Sequence, residues 1–220
     1  MATAREFVDD LEHEIAAQLS ALDLLKETEI AVNDRSDVVR RLKIALKNEL
    51  EASELAAVWI PSTPELDVKL ALARQAGDEA RHYRMIEKRL QEMDVDLGDF
   101  DPAAGGYGPM FQLLCGLSST VERAAAAGMT REALAHTKNE QFIEFCEAAG
   151  DTETAALYRN EIQPDEQWHV AMGRGILERY ATTAELQEKA RRAAQAVLDL
   201  AMKIQRKQLE EMKVSHAPGC

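Results

Sequence analysis

Asp78-Glu79-Ala80-Arg81-His82 and Asp165-Glu166-Gln167-Trp168-His169 write one pattern twice, Asp-Glu-x-x-His, in two well-separated stretches of the chain. Each copy sits within apolar residues at helical spacing, and in a helix residues i and i+3 lie a turn apart on one face. Each copy therefore aims a carboxylate and an imidazole at a common point. Two copies that face each other supply four ligands, which predicts a two-metal site between the helices of an all-α protein.

The flanking residues place these groups inside. Val68, Leu72, Gln75, Glu79, His82, Ile86 and Leu90 fall on one stripe, and Ala155, Ile162, Glu166, His169, Gly173 and Ile176 on another. In both, the motif occupies positions where apolar residues belong. Buried ionised carboxylates are costly unless paired or bound to metal, so a cation is the economical explanation. Between Ser36 and Ile60 the stripe Val39, Leu42, Leu46, Glu49, Ser53, Ala56, Ile60 carries Glu49 inward, while Glu51 lies off it and Glu54 flanks it. A fourth carboxylate is open between Glu132 and Glu140. Glu132, His136 and Glu140 follow at i+4 steps and drift slowly around one helix face, with His136 as an extra or alternative ligand.

The remaining pattern divides the chain into helices. Phe7, Leu11, Ile15, Leu19, Leu22 and Leu25 predict a first helix over 3–32, broken at Asn33-Asp34. Ser36 is a cap for a second, and Thr63-Pro64-Glu65 reads as the start of a third that runs to Met93. Residues 94–108 are rich in Asp, Gly and Pro and predict a long crossover, which sets the third core helix parallel to the second. Helix resumes at Pro109, with a break at Gly128-Met129-Thr130, continues to Ala149, turns at Gly150-Asp151 and ends near Tyr180. Pro164 predicts a kink or a π-bulge just before Glu166. Thr182 and Glu185 form a capping box for a last helix over 183–212. The expectation is a single domain over 1–220, with a core bundle at 36–180 and an extra helix at each end.

Few aromatics and sparse Gly and Pro fit an all-helical chain. Cys115, Cys146 and Cys220 are odd in number and form no C-x-x-C pair, which excludes a disulfide framework or a cysteine metal knuckle. A cytoplasmic location is the simplest expectation. Met1 to Glu14 is acidic without a long apolar run, which predicts no signal peptide, and no later stretch is apolar enough to span a membrane. A net charge of -13 disfavours nucleic acid, whose binding is dominated by cationic contacts to phosphate. The basic clusters at Arg40, Arg41 and Lys43 and from Lys189 to Lys207 read as solvated helix faces.

The pattern resembles the ferritin-like di-iron carboxylate proteins, in which two helices each give a Glu and two others each give Glu-x-x-His. Glu49, Glu79, His82, Glu166 and His169 match it residue by residue, and the family spacing favours Glu132 over Glu140. More closely, Asn48-Glu49-Leu50-Glu51-Ala52-Ser53-Glu54-Leu55-Ala56, Asp78 to Tyr83 and Asp165 to Val170 are similar to a poorly characterised ferritin-like family related to the tRNA hydroxylases. The resemblance covers about residues 36 to 180. It implies a ferritin-like four-helix bundle with a long crossover, holding two iron ions, with Mn/Fe served by the same ligands. Oxygen or peroxide chemistry follows from it, with Glu49, Glu79, His82, Glu166 and His169 as catalytic ligands and Glu132 or Glu140 completing the metal set. Asp78 and Asp165 would orient the histidines. The implied partners are dioxygen, a small, largely apolar small-molecule substrate and an external reductase or ferredoxin; a homodimer is compatible. The competing expectations are a ferritin-type ferroxidase and a non-enzymatic helical module stabilised by metal.

Overall fold

The computed structural model describes residues 2–23, 35–212 and 218. Among them every regular element is helical. Helix α1 spans Ala4–Asp23, α2 Arg35–Ser62, α3 Leu66–Glu92 and α4 Pro109–Cys115. Two long helices follow, each interrupted by a π-helical stretch. The first runs as α5 Thr120–Arg123, a π-helix at Ala124–Arg131 and α6 Glu132–Ala148; the second as α7 Thr152–Leu157, a π-helix at Tyr158–Ile162 and α8 Gln163–Tyr180. Helix α9 spans Ala184–Met212. The predicted stretch 24–32 of the first helix and its break at Asn33-Asp34 lie outside the described residues.

Long-range contacts fix the topology. Ser53 Oγ donates to the Ala76 carbonyl at 2.8 Å while His82 meets Glu49, so α2 and α3 run antiparallel. Gln163 Nε2 donates to Glu140 and Gly173 touches Gly128, so the two long helices are antiparallel as well. The crossover at 94–108 runs back along α2, held where Lys47 Nζ donates to the Gly106 carbonyl at 2.5 Å and Gly108 N donates to Glu51 at 2.8 Å. It delivers Thr120 beside Glu65, so the first long helix starts level with α3 and runs parallel to it.

Side-chain burial then sorts the interior into layers. Val38, Leu42, Leu46, Ile86, Leu90, Phe142, Tyr158 and Ile162 form one apolar core. Leu55, Trp59, Val68, Leu72, Phe111, Ala126 and Ala127 form another at the opposite end of the four helices. The motif residues lie between the two, in a polar band sealed on both sides by hydrocarbon. Helices α1 and α9 close the outer face of the second hairpin around Phe7, Leu11, Ile15, Leu177, Ala190 and Leu198. Each Val, Leu, Ile or Phe among them, fully buried, stabilises by roughly 1.5–3 kcal/mol. A Tyr158 ring set edge-on to Phe142 at 5.0 Å fixes the core nearest the 149–151 turn.

Local signals were displaced in several places. Helix α3 starts at Leu66, not at Pro64, and Glu65 accepts from Thr120 Oγ1 at 2.6 Å rather than acting in a first turn. Ser36 lies inside the first turn of α2. Thr183 caps α9 by accepting from Leu186 N at 3.2 Å, so the Thr182–Glu185 capping box does not form. The break in the third core helix falls at 116–119, where Ser119 and Glu122 make a capping box of their own. Gly128-Met129-Thr130 continues the helix in π form, with Thr130 Oγ1 donating to the Ala125 carbonyl at 2.8 Å. The irregularity expected near Pro164 is the π-helix Tyr158–Ile162, directly before it.

Candidate metal centre

Four helices converge in the polar band. Glu49 comes from α2, Glu79 and His82 from α3, Glu132 from the start of α6, Glu166 and His169 from α8. All six are 0 % exposed. They form two overlapping groups, Glu49, Glu79, His82 and Glu166, and Glu79, Glu132, Glu166 and His169, each with its candidate ligand atoms within 4.8 Å of one another. Glu79 and Glu166 belong to both. His82 Nδ1 lies 3.2 Å from Glu79 and 3.4 Å from Glu49; His169 Nδ1 lies 3.5 Å from Glu79 and from Glu166 and 3.7 Å from Glu132.

The donor set fits a cation. Both carboxylate oxygens of Glu49 and both ring nitrogens of His169 are buried without a hydrogen-bond partner, which is expensive unless something else is coordinated. Carboxylate oxygen and imidazole nitrogen are the ligands that first-row divalent metals accept. In the cation-free cluster, protons on the imidazoles take over the neutralisation. Burial pushes His82 down, but Glu49 and Glu79 outweigh it and drive it up to about 12. His169 is driven up to about 11 in the same way by Glu132 and Glu166. Burial lifts Glu49 to about 7 and, with Glu79 nearby, Glu166 well above the usual carboxylate range.

Behind the ligand atoms the two motifs support each other crosswise. Asp165 Oδ2, beside Glu166 on α8, lies 3.1 Å from His82 Nε2. Asp78 Oδ2, beside Glu79 on α3, lies 3.4 Å from His169 Nε2. Each aspartate is paired with an arginine nearer the surface, Asp165 with Arg81 and Asp78 with Arg74 at 3.3 Å. Arg74 in turn stacks 3.4 Å over the half-buried Trp168 ring, while Trp59 lies in the core.

Glu132 has its own support. Gln75 Nε2 donates to its Oε1 at 2.6 Å and Arg131 Nη2 at 3.0 Å. Burial pushes this carboxyl up, but Arg131 and His169 outweigh it and hold it well below the usual range. Arg131 carries no signal of its role in a uniform helical period, because it ends a π-helix that shifts the phase of the helix there. Glu140 is placed away from the other candidate ligands. It is exposed and accepts from Gln163 Nε2 at 2.5 Å, outside both groups. His136 is likewise outside them and meets Gln167 at 3.3 Å.

Gly128 and Gly173 bring the second hairpin close enough to assemble the band. A Cβ on Gly173 would lie 2.6 Å from the Gly128 oxygen and 2.8 Å from its Cα, so no side chain fits at this crossing. Glu132 and His169 sit one turn from it on the two helices.

A groove of about 690 Å³ lies between α2 and the crossover, and no residue of the cluster lines it. Of the basic residues beside it, Arg40 pairs with Asp37, and Arg41 is buried 4.0 Å over the Phe145 ring rather than solvated. A small cavity lined by Gln75 adjoins the cluster.

These features define an all-helical protein with a buried carboxylate–histidine cluster able to hold metal. The chain belongs to the family described as protein of unknown function (DUF455), whose model matches residues 16–213. No curated protein and no solved structure matches it.

Proposed function

We propose that the protein is a ferritin-like di-iron carboxylate enzyme that uses dioxygen or peroxide to oxidise a small, largely apolar substrate. The observation that carries this reading is the sharing of Glu79 and Glu166 between two groups, each completed by one histidine and one further carboxylate. That is the arrangement of a carboxylate-bridged pair of sites on four helices. Glu49 with His82 and Glu132 with His169 would hold the outer sides, and Glu79 and Glu166 the space between. Iron bound there supplies redox chemistry, coupling reduction of the oxidant to oxidation of the substrate.

The surrounding residues support this use. Asp165 holds the ring orientation of His82, Asp78 sets its carboxylate beside His169, and Gln75 and Arg131 hold Glu132 in its ionised form. The two apolar cores exclude water from the band and so strengthen every charge interaction within it. Among the described residues no cysteine cluster exists to store electrons, so a separate reductase or ferredoxin is the donor in this reading. No described helix is long and apolar enough to cross a membrane, which is compatible with a cytoplasmic enzyme.

Metal analysis of protein expressed with iron, paired with an optical spectrum after reduction and admission of air, tests the proposal. About two irons per chain and a ferric absorption band that grows with air are expected. A fully folded protein that takes up no metal would defeat it.

One observation favours a second reading, a ferritin-type ferroxidase. The cavity that adjoins the cluster measures about 20 Å³, whereas pockets for organic ligands run to roughly 300–1,000 Å³. A ferroxidase acts on iron itself and needs no such pocket. Light scattering decides: a large hollow assembly favours the ferroxidase, a monomer or dimer removes it.

A further inference from the structure

The cavity of about 20 Å³ lies between α2, α3 and the two long helices, walled by Trp59, Val68, Leu72, Ala127, Met172 and Ile176. Its inner end is Gln75, whose amide nitrogen donates to Glu132 at 2.6 Å. Three elements place a lining residue one turn from a cluster residue: Gln75 before Glu79, Gly128 before Glu132, and Gly173 after His169. A turn rises about 5.4 Å, so a single layer of side chains separates cavity from cluster.

The hydroxyls and the guanidinium of the lining are committed elsewhere. Thr63 Oγ1 donates to the Trp59 carbonyl at 2.9 Å and accepts from Arg123 Nη1 at 3.1 Å. Thr120 Oγ1 donates to Glu65 at 2.6 Å, and Arg123 Nε to the Leu117 carbonyl at 3.1 Å. Trp59 Nε1 is a buried donor without a partner. A buried water is held by two to four polar partners, whereas the walls here are mostly hydrocarbon. Hydrogen peroxide, with two donors and two acceptors, meets the same objection. A small apolar molecule with weak acceptor ends does not, and the volume admits only something of two or so heavy atoms.

We infer that this cavity is a dioxygen antechamber for the cluster. The inference rests on the oxidase reading above and narrows its oxidant from dioxygen or peroxide to dioxygen. Gln75 is the residue between antechamber and cluster, and it acts by positioning Glu132.

Xenon is the probe, since dry apolar cavities bind it. Crystals pressurised with xenon should show a xenon atom between Trp59, Leu72 and Ala127; an ordered water there and no xenon would overturn the inference. Ala127→Val adds carbon to the wall and should exclude xenon at unchanged iron content. It should also slow the growth of ferric absorption under dioxygen by roughly tenfold or more. An unchanged rate in a folded, xenon-free variant would overturn the antechamber. If Ala127→Val does not fold, the xenon position in the unsubstituted protein decides alone. A chain that binds xenon there but takes up no iron defeats the oxidase reading instead, so the two failures are distinct.

Discussion

Asp165 Oδ2 lies 3.1 Å from His82 Nε2, although the two belong to different copies of the motif. Asp78 makes the reciprocal approach to His169 at 3.4 Å. Each copy thus carries candidate ligands on its own helix and sets an aspartate beside the imidazole of the other, which ties the two hairpins together through the site.

Replacing Asp165 by Asn should leave the fold intact and weaken metal binding by about 10–100-fold, the usual effect of losing a carboxylate behind a ligating histidine. Competition titration against a chelator of known affinity measures it. Asp78→Asn should act in the same direction through His169. Unchanged affinity in both would mean that the crossed contacts do not orient the rings.

Glu132 and Glu140 separate cleanly. Glu132→Gln keeps an acceptor for Gln75 but removes a ligand charge, and metal affinity should fall by more than about 100-fold. Arg131 also loses its ion-pair partner, so the melting temperature should drop. Glu140→Gln, at an exposed position, should change neither metal content nor melting.

Gly173→Ala sets a methyl against the backbone of Gly128, with neither side able to swing away. A loss of at least about 1–3 kcal/mol in denaturant unfolding is expected. Gly175→Ala, two residues on, meets nothing within 4 Å and should stabilise α8 by about 0.5–1 kcal/mol. Equal effects at the two positions would refute a close crossing.

Metal uptake should tighten as pH rises from about 6 to about 8 and release protons, measurable in weakly buffered solution. His82 and His169, raised to about 12 and about 11, carry protons in the metal-free protein that a cation must displace. The same shifts set the stability of that metal-free form. Glu49 is raised from 4.5 to about 7, so between these values the native state binds more protons than the unfolded chain and stability falls with rising pH. Above 6.5 the raised histidines continue the fall. Metal-loaded protein should lack this decline, and paired melts with and without metal check it.

The cysteines should differ in reactivity. Cys115 is exposed, whereas Cys146 is buried and burial pushes its thiol well up, leaving little thiolate. Alkylation mapped by peptide mass spectrometry should mark Cys115 in the native protein and Cys146 only after unfolding.

Helical phase is a local property, and the sequence by itself determined everything that depends on it. Glu79, His82, Glu166 and His169 were legible as inward because a period of 3.6 puts them in line with Leu72, Ile86 and Ile162, and Glu49 followed from Leu42 and Leu46 by the same rule. The crossover was legible from its Gly, Pro and Asp, and the irregularity near Glu166 from Pro164. What only the tertiary structure decided involves two elements at once or a change of phase within one. The π-helix Ala124–Arg131 shifts the phase of the first long helix relative to an uninterrupted α-helix; Arg131 at its end and Glu132 directly after it lie in the band, while Glu140 is exposed. The contact of Asp165 with His82 joins residues 83 apart in the chain, and the crossing at Gly128 and Gly173 exists only once both helices are packed. No local pattern encodes such a pairing, because its energy is realised only when the second helix arrives.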